Sequence, residues 1–87
     1  MKQLYWMLSE KAQEQMKKYI DNHNWFRDNY KRLQERYNGK YVAVKDKNYF
    51  DSDTDFIKLI ERLRTNSNFE KSIYIDIVSN NNLVIMH

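Results

Sequence analysis

The chain has no cysteine, no proline and a single glycine among its 87 residues. Without cysteine there can be no disulfide and no thiolate metal site. One glycine cannot build a P-loop or a dinucleotide-binding fingerprint, because both need several glycines where backbone meets phosphate. No apolar run approaches the roughly 20 residues that cross a bilayer, so no membrane partner is expected. His23 and His87 are the only histidines, and neither has a second one at helical metal-binding spacing. No serine stands in a nucleophile-elbow context. These gaps lead to the expectation that the protein is not an enzyme, holds no cofactor or metal, and has no evident small-molecule substrate.

What is present fits one small globular domain. Hydrophobic residues make up 41% of the chain and charged residues 31%, a balance that folds rather than one that stays disordered. Aromatic residues reach 15%, with seven tyrosines. A few aromatics bury enough area to build a small core, and the surplus is available for a binding surface. The start of the chain, Met1-Lys2-Gln3-Leu4-Tyr5-Trp6-Met7-Leu8, carries one positive charge and a short apolar run. It reads poorly as a signal peptide, so a cytoplasmic location is the expectation.

The net charge is +3 and unevenly spread. Met1 to Lys40 holds nine Lys or Arg against five Asp or Glu, whereas Tyr41 to His87 holds six against seven. The basic character therefore belongs to the N-terminal part, where it serves either as a solvated helical face or as an attraction for an acidic partner or nucleic acid.

Periodicity predicts a first helix from about Leu4 to Asn22, with Tyr5, Leu8, Ala12, Met16 and Tyr19 on one stripe. Ser9 is an alternative cap for a shorter helix, with Met1 to Leu8 leading in. Asp21-Asn22-His23-Asn24 reads as a break, with Asn24 capping a second helix from Trp25 to Tyr37. Phe26, Tyr30, Leu33 and Tyr37 share a face of that helix. Asn38-Gly39 ends it, since glycine accepts the left-handed conformation of a helix C-terminus. Tyr41 to Val44 alternates as a strand, with Val42 and Val44 on one face and Tyr41 and Ala43 on the other. After the polar turn Lys45 to Asn48, Tyr49-Phe50 returns as the second arm of a hairpin whose turn type the residues leave open. Ser52 or Asp53 caps a third helix whose apolar face holds Phe56, Ile57, Leu59, Ile60 and Leu63. Ser72 to Val78 is the clearest strand, and Leu83 to Met86 a short last one. The expected fold class is α+β: two helices, a β-hairpin, a helix and two further strands in one small sheet, ααββαββ. The whole chain is one domain, with residues 1–22 an added helix. Phe56, Ile60 and Leu63 are expected to pack on Val42, Val44, Ile73, Ile75 and Ile77.

A Trp25-Phe26 helix start, Tyr30, Leu33 and Tyr37, then Gly39-Lys40-Tyr41-Val42-Ala43-Val44, lead into a hairpin, an Asp-capped helix and an isoleucine-rich strand. From about Trp25 to Val78 this resembles a family of small archaeal domains of unknown function. Where that family often has a glycine in the hairpin turn, this chain has Asp46-Lys47-Asn48. The resemblance implies an archaeal source and a compact α+β fold, and implies no activity.

Two groups of residues stand out as contact candidates. Tyr5, Trp6, Leu8, Met16 and Tyr19 form an apolar surface on the first helix, suited to a protein partner or to self-association. The second group is Lys17, Lys18, Arg27, Lys31, Arg32, Arg36 and Lys40, basic residues near tyrosine and tryptophan that suit nucleic-acid backbone contact with base stacking. Asp28 and Glu35 dilute that patch, and no RNA-binding hexamer or Gly-x-x-Gly loop supports it. Asp51, Asp53 and Asp55 resemble the start of a calcium loop. However, such a loop needs Gly at its sixth position and Glu at its twelfth, where this chain has Phe56 and Arg62. Helix capping explains the string better. Asp76, inside an apolar strand, is either a buried carboxylate or a residue on the exposed face of an edge strand. The leading expectation is a binding module that works through protein contacts; nucleic-acid binding is the alternative.

Overall fold

A computed structural model of the chain describes residues 9–66 and 72–79. In chain order the elements are α1 (Glu10–Asp28), α2 (Tyr30–Tyr37), β1 (Tyr41–Lys45), β2 (Asn48–Asp53), α3 (Phe56–Asn66) and β3 (Tyr74–Ile77). The α+β class and the order expected from the sequence hold. The last expected strand, Leu83 to Met86, lies outside the described residues.

Ser9 opens α1: its hydroxyl accepts from the Ala12 amide at 3.1 Å, and its carbonyl from the Gln13 amide at 2.9 Å. The expected break at Asp21 to Asn24 is absent, and α1 runs through it to Asp28. Those residues are weak helix formers by at most roughly 0.7 kcal/mol each, less than packing can supply. The interruption comes at Asn29, whose side-chain and backbone N–H groups both donate to the Trp25 carbonyl, at 2.9 and 3.0 Å. Asn24 is therefore no cap. With one residue between α1 and α2, the two helices do not form an antiparallel pair, which needs a loop of about 2 to 5 residues.

Gly39 follows α2 with φ +84, as the helix-ending role requires. Its amide donates to the Val78 carbonyl at 2.7 Å, so the same residue also starts the β1–β3 pairing. The hairpin turn is Asp46-Lys47, with φ of 53 and 58. Two positive φ values in a two-residue loop make it a type I′ turn, whose twist matches that of the strands. Strand β2 is longer than expected and continues to Asp53, with a bulge at Phe50 opposite Ala43 and Val44.

The sheet is antiparallel with order β2-β1-β3. Helices cover both of its faces, so Val42, Ala43 and Val44 are all buried on the central strand. Val42 and Val44 face α1 and α2 and pack with Phe26, Leu33 and Val78. Ala43 faces α3 and packs with Leu59, Leu63 and Ile73, with Tyr41 and Ile75 alongside. This corrects the expected core. Helix α3 lies on the Ala43 and Ile75 face and not on Val42 and Val44. Leu59 and Leu63 anchor it, while Phe56 and Ile57 are exposed.

Asn22, expected in a break, is the main polar residue of the interior at 1% exposure. Its side-chain amide donates to the Ser72 carbonyl at 2.8 Å, and its oxygen accepts from the Lys47 amide at 2.8 Å. One side chain thus ties α1 to the hairpin turn and to the entry of β3.

Candidate functional site

The surface that stands out lies along α1 and the start of α2. Met16, Tyr19 and Ile20 occupy successive turns of one helix stripe, and each is 41% to 48% exposed. Helix α1 turns Asn22 and Phe26 into the core instead, so Met16 and Tyr19 of the stripe read from the sequence face outward, joined by Ile20, which that stripe did not include. Tyr19 leads from the stripe to a groove of about 550 Å³. Its ring meets Tyr74 edge-on at 5.5 Å, and Tyr74 also contacts His23 at 4.8 Å and Phe26 at 5.4 Å. Phe26 in turn meets Tyr30 at 5.4 Å.

The groove is lined by His23, Phe26, Tyr30 and Tyr74 of this group together with Arg27, Asp28, Lys31, Gln34, Asp76 and Ile77. Arg27 and Lys31 are exposed, and neither has an ion pair among the described residues. The two carboxylates differ. Asp76 is engaged at both oxygens, by the Tyr74 hydroxyl at 2.7 Å and the Ile77 amide at 2.7 Å, whereas Asp28 is exposed. Burial pushes the Tyr74 hydroxyl above its ordinary value, and the hydrogen bond to Asp76 adds to this. Tyr74 therefore keeps its proton and serves as a fixed donor. At the far end, the Tyr30 hydroxyl and Gln34 both donate to the Ser79 carbonyl, at 3.2 and 2.7 Å, fixing the chain as it leaves β3.

Of the apolar candidates, Met16 and Tyr19 are on this surface, while Tyr5, Trp6 and Leu8 lie outside the described residues. Of the basic candidates, only Arg27 and Lys31 reach the groove. Lys17 and Lys18 are exposed on α1; Arg32 and Arg36 are exposed one turn apart on α2; Lys40 is half-buried. Four acidic residues offset the four basic residues of α1, and α2 sets one against three. The basic excess thus belongs to α2 and not to both helices.

Sequence reasoning missed Asn22 and Tyr74 as organising residues. Asn22 stands one helical turn before Phe26, and that spacing was the available signal.

The aspartate string is used structurally. Arg62 donates to Asp51 at 3.1 Å through two of its nitrogens, to Asp53 at 2.7 Å and to the Ser52 carbonyl at 2.9 Å. These bonds to Asp51 and then Asp53 hold the guanidinium well above its ordinary value. Arg62, with the Asp55 amide, holds the Asp53 carboxyl below the usual carboxylate range. Neither Ser52 nor Asp53 caps α3. Asp55 does, its Oδ1 accepting from Ile57 at 2.9 Å and Lys58 at 3.2 Å. Among the described residues no cluster of three or more His, Asp or Glu could hold a metal ion, and no helix is long and apolar enough to cross a membrane.

Residues 32–74 match the profile of DUF5678, a family of unknown function. The matched stretch runs from α2 through the hairpin and α3 to the first residue of β3, and α1 lies before it. No curated protein matches the chain, and no solved structure does.

Proposed function

We propose that this protein is a non-enzymatic binding module that works through protein contacts, as a homo-oligomer or as a subunit of a larger complex. The carrying observation is the outward stripe of Met16, Tyr19 and Ile20, three large apolar side chains exposed together and continuous with an aromatic groove. Apolar surface gathered in this way marks interaction sites more often than it marks ordinary surface. Sedimentation velocity of the full chain tests the self-association form. The wild type is expected to associate as concentration rises, and Met16→Lys with Ile20→Lys is expected to return it to monomer. A wild type that stays monomeric at high micromolar concentration removes the homo-oligomer.

One observation favours nucleic acid as a second reading. Arg32 and Arg36 are exposed one turn apart on α2, the helix that also carries the groove residue Lys31. Elution from heparin separates the two readings. Binding set by several phosphate contacts weakens steeply as salt rises, while an apolar interface does not. An archaeal source, implied by the family resemblance, and a cytoplasmic location belong to the same proposal.

A further inference from the structure

We propose that the groove between α1 and β3 is the receptor for the exposed N-terminus of α3 in a second copy, so that copies join head to tail. This rests on the protein-contact reading and names its partner and its geometry. Ile57 is 62% exposed, more than any other large hydrophobic among the described residues, and Phe56 beside it is 42% exposed. Both lie on the side of the sheet that α3 covers, opposite the groove. Asp55 precedes them, and only its Oδ1 is used in capping; Oδ2 has no partner among the described residues. One surface thus offers an apolar pair led by a carboxylate.

The groove offers the counterpart. Its walls carry Phe26, Tyr30 and Tyr74, and it has room for two side chains in about 550 Å³. Arg27 and Lys31 stand at it, and neither has an ion pair among the described residues. Asp28 and Asp76 also line it, but Asp76 has both oxygens occupied and Asp28 has a much shorter reach than Arg27 or Lys31. Charge across the molecule points the same way. Helix α2, which supplies Lys31 to the groove, sets three basic residues against one acidic, and the segment from residue 41 onward is slightly acidic. Opposite charge sets register, while the buried apolar anchors supply the affinity. Because donor and receptor surfaces lie on opposite faces, the contact is heterologous. Such a contact propagates into chains or rings and does not close as a two-fold dimer.

Complementation between two variants tests this by sedimentation velocity. Ile57→Lys spoils the donor and keeps the groove; Arg27→Glu with Lys31→Glu spoils the groove and keeps the donor. All three positions are exposed, and circular dichroism confirms that each variant folds. Each variant alone is expected to lose about tenfold or more in apparent affinity and to sediment as monomer. An equal mixture is expected to recover association and to stop at one-to-one dimers, since only one donor and one groove remain functional. If Ile57→Lys associates as the wild type does, while Met16→Lys with Ile20→Lys does not, the contact is a symmetric one through α1. The head-to-tail inference then falls and the protein-contact reading stands. A mixture that stays monomeric also overturns the inference. A wild type that is monomeric at high micromolar concentration overturns both the inference and self-association.

Discussion

At the scale of single residues, two polar side chains tie separate elements together. Asn22 satisfies two backbone groups from segments distant in sequence, the Lys47 amide and the Ser72 carbonyl. Replacing it by alanine leaves both without that partner in the interior. Asn22→Ala is therefore expected to cost about 2 to 4 kcal/mol, a large part of the stability of so small a domain. A urea melt measures it, and a loss under about 1 kcal/mol would show that water replaces the bridge at no great cost. Arg62 is the second, clasping Asp51 and Asp53 at the edge of the sheet. It also occupies the Ser52 carbonyl on the edge strand, which guards that edge against pairing with another chain. Because the folded Asp53 carboxyl titrates below its ordinary value of 3.8, the folded state binds fewer protons there than the unfolded one. That contribution is present above about pH 4 and is lost as pH falls through the lowered value. Asp53→Asn should flatten the acid limb of a stability-against-pH curve and leave its neutral-to-alkaline course unchanged. An acid limb as steep as the wild type's would place the titration on other carboxylates.

At the scale of elements, the sheet is a septum between two cores, and its central strand serves both. Leu59 and Leu63 fill the side with Ala43 and Ile73, whereas Phe26 and Leu33 fill the side with Val42 and Val44. Leu59→Ala is expected to cost about 2 to 5 kcal/mol, since its side chain is wholly buried. Ile60, which the sequence placed in the core, is only half-buried, and Ile60→Ala should cost clearly less in the same urea melt. Equal costs would mean that α3 is rotated relative to this packing. The error came from a wide apolar face. Five apolar residues from Phe56 to Leu63 leave several helix rotations open, and periodicity alone does not choose among them. Where one side chain dictated geometry, the reading was sharper. Gly39 was legible because a left-handed helix ending favours the one residue without a Cβ. The hairpin turn was legible in position and not in type, because Asp46 and Lys47 adopt positive φ without the glycine that usually announces it.

At the scale of the whole molecule, the order of elements was written in the alternation of helical and strand periods. The relation of α1 to the rest was not. A run of Asp, Asn, His and Asn reads locally as a break, and only the tertiary setting shows that Asn22 belongs to the interior. The candidate site divided in the same way. Met16 and Tyr19 of its apolar stripe and two of its cations came from spacing, but the groove needs Tyr74 from β3, some fifty residues beyond His23, and no local pattern brings those together. This changes what removal of the first helix should do. If residues 1–22 were an appendage, Trp25 to His87 would fold alone. In this structure the cut at Asn22 falls within continuous α1, removes the bridge to the turn and to β3, and leaves Phe26 barely one turn from a frayed end. Helix ends that short are marginal without packing from both sides. Deleting residues 1–22 is therefore expected to abolish cooperative unfolding, whereas deleting residues 1–8 retains Ser9 as cap and should keep a cooperative melt. Circular dichroism against temperature distinguishes the two shortened chains. If the chain without residues 1–22 melts sharply near the full-length midpoint, α1 contributes a surface and not a support. Loss of self-association in that shortened chain would then report on contact alone, free of any effect on folding.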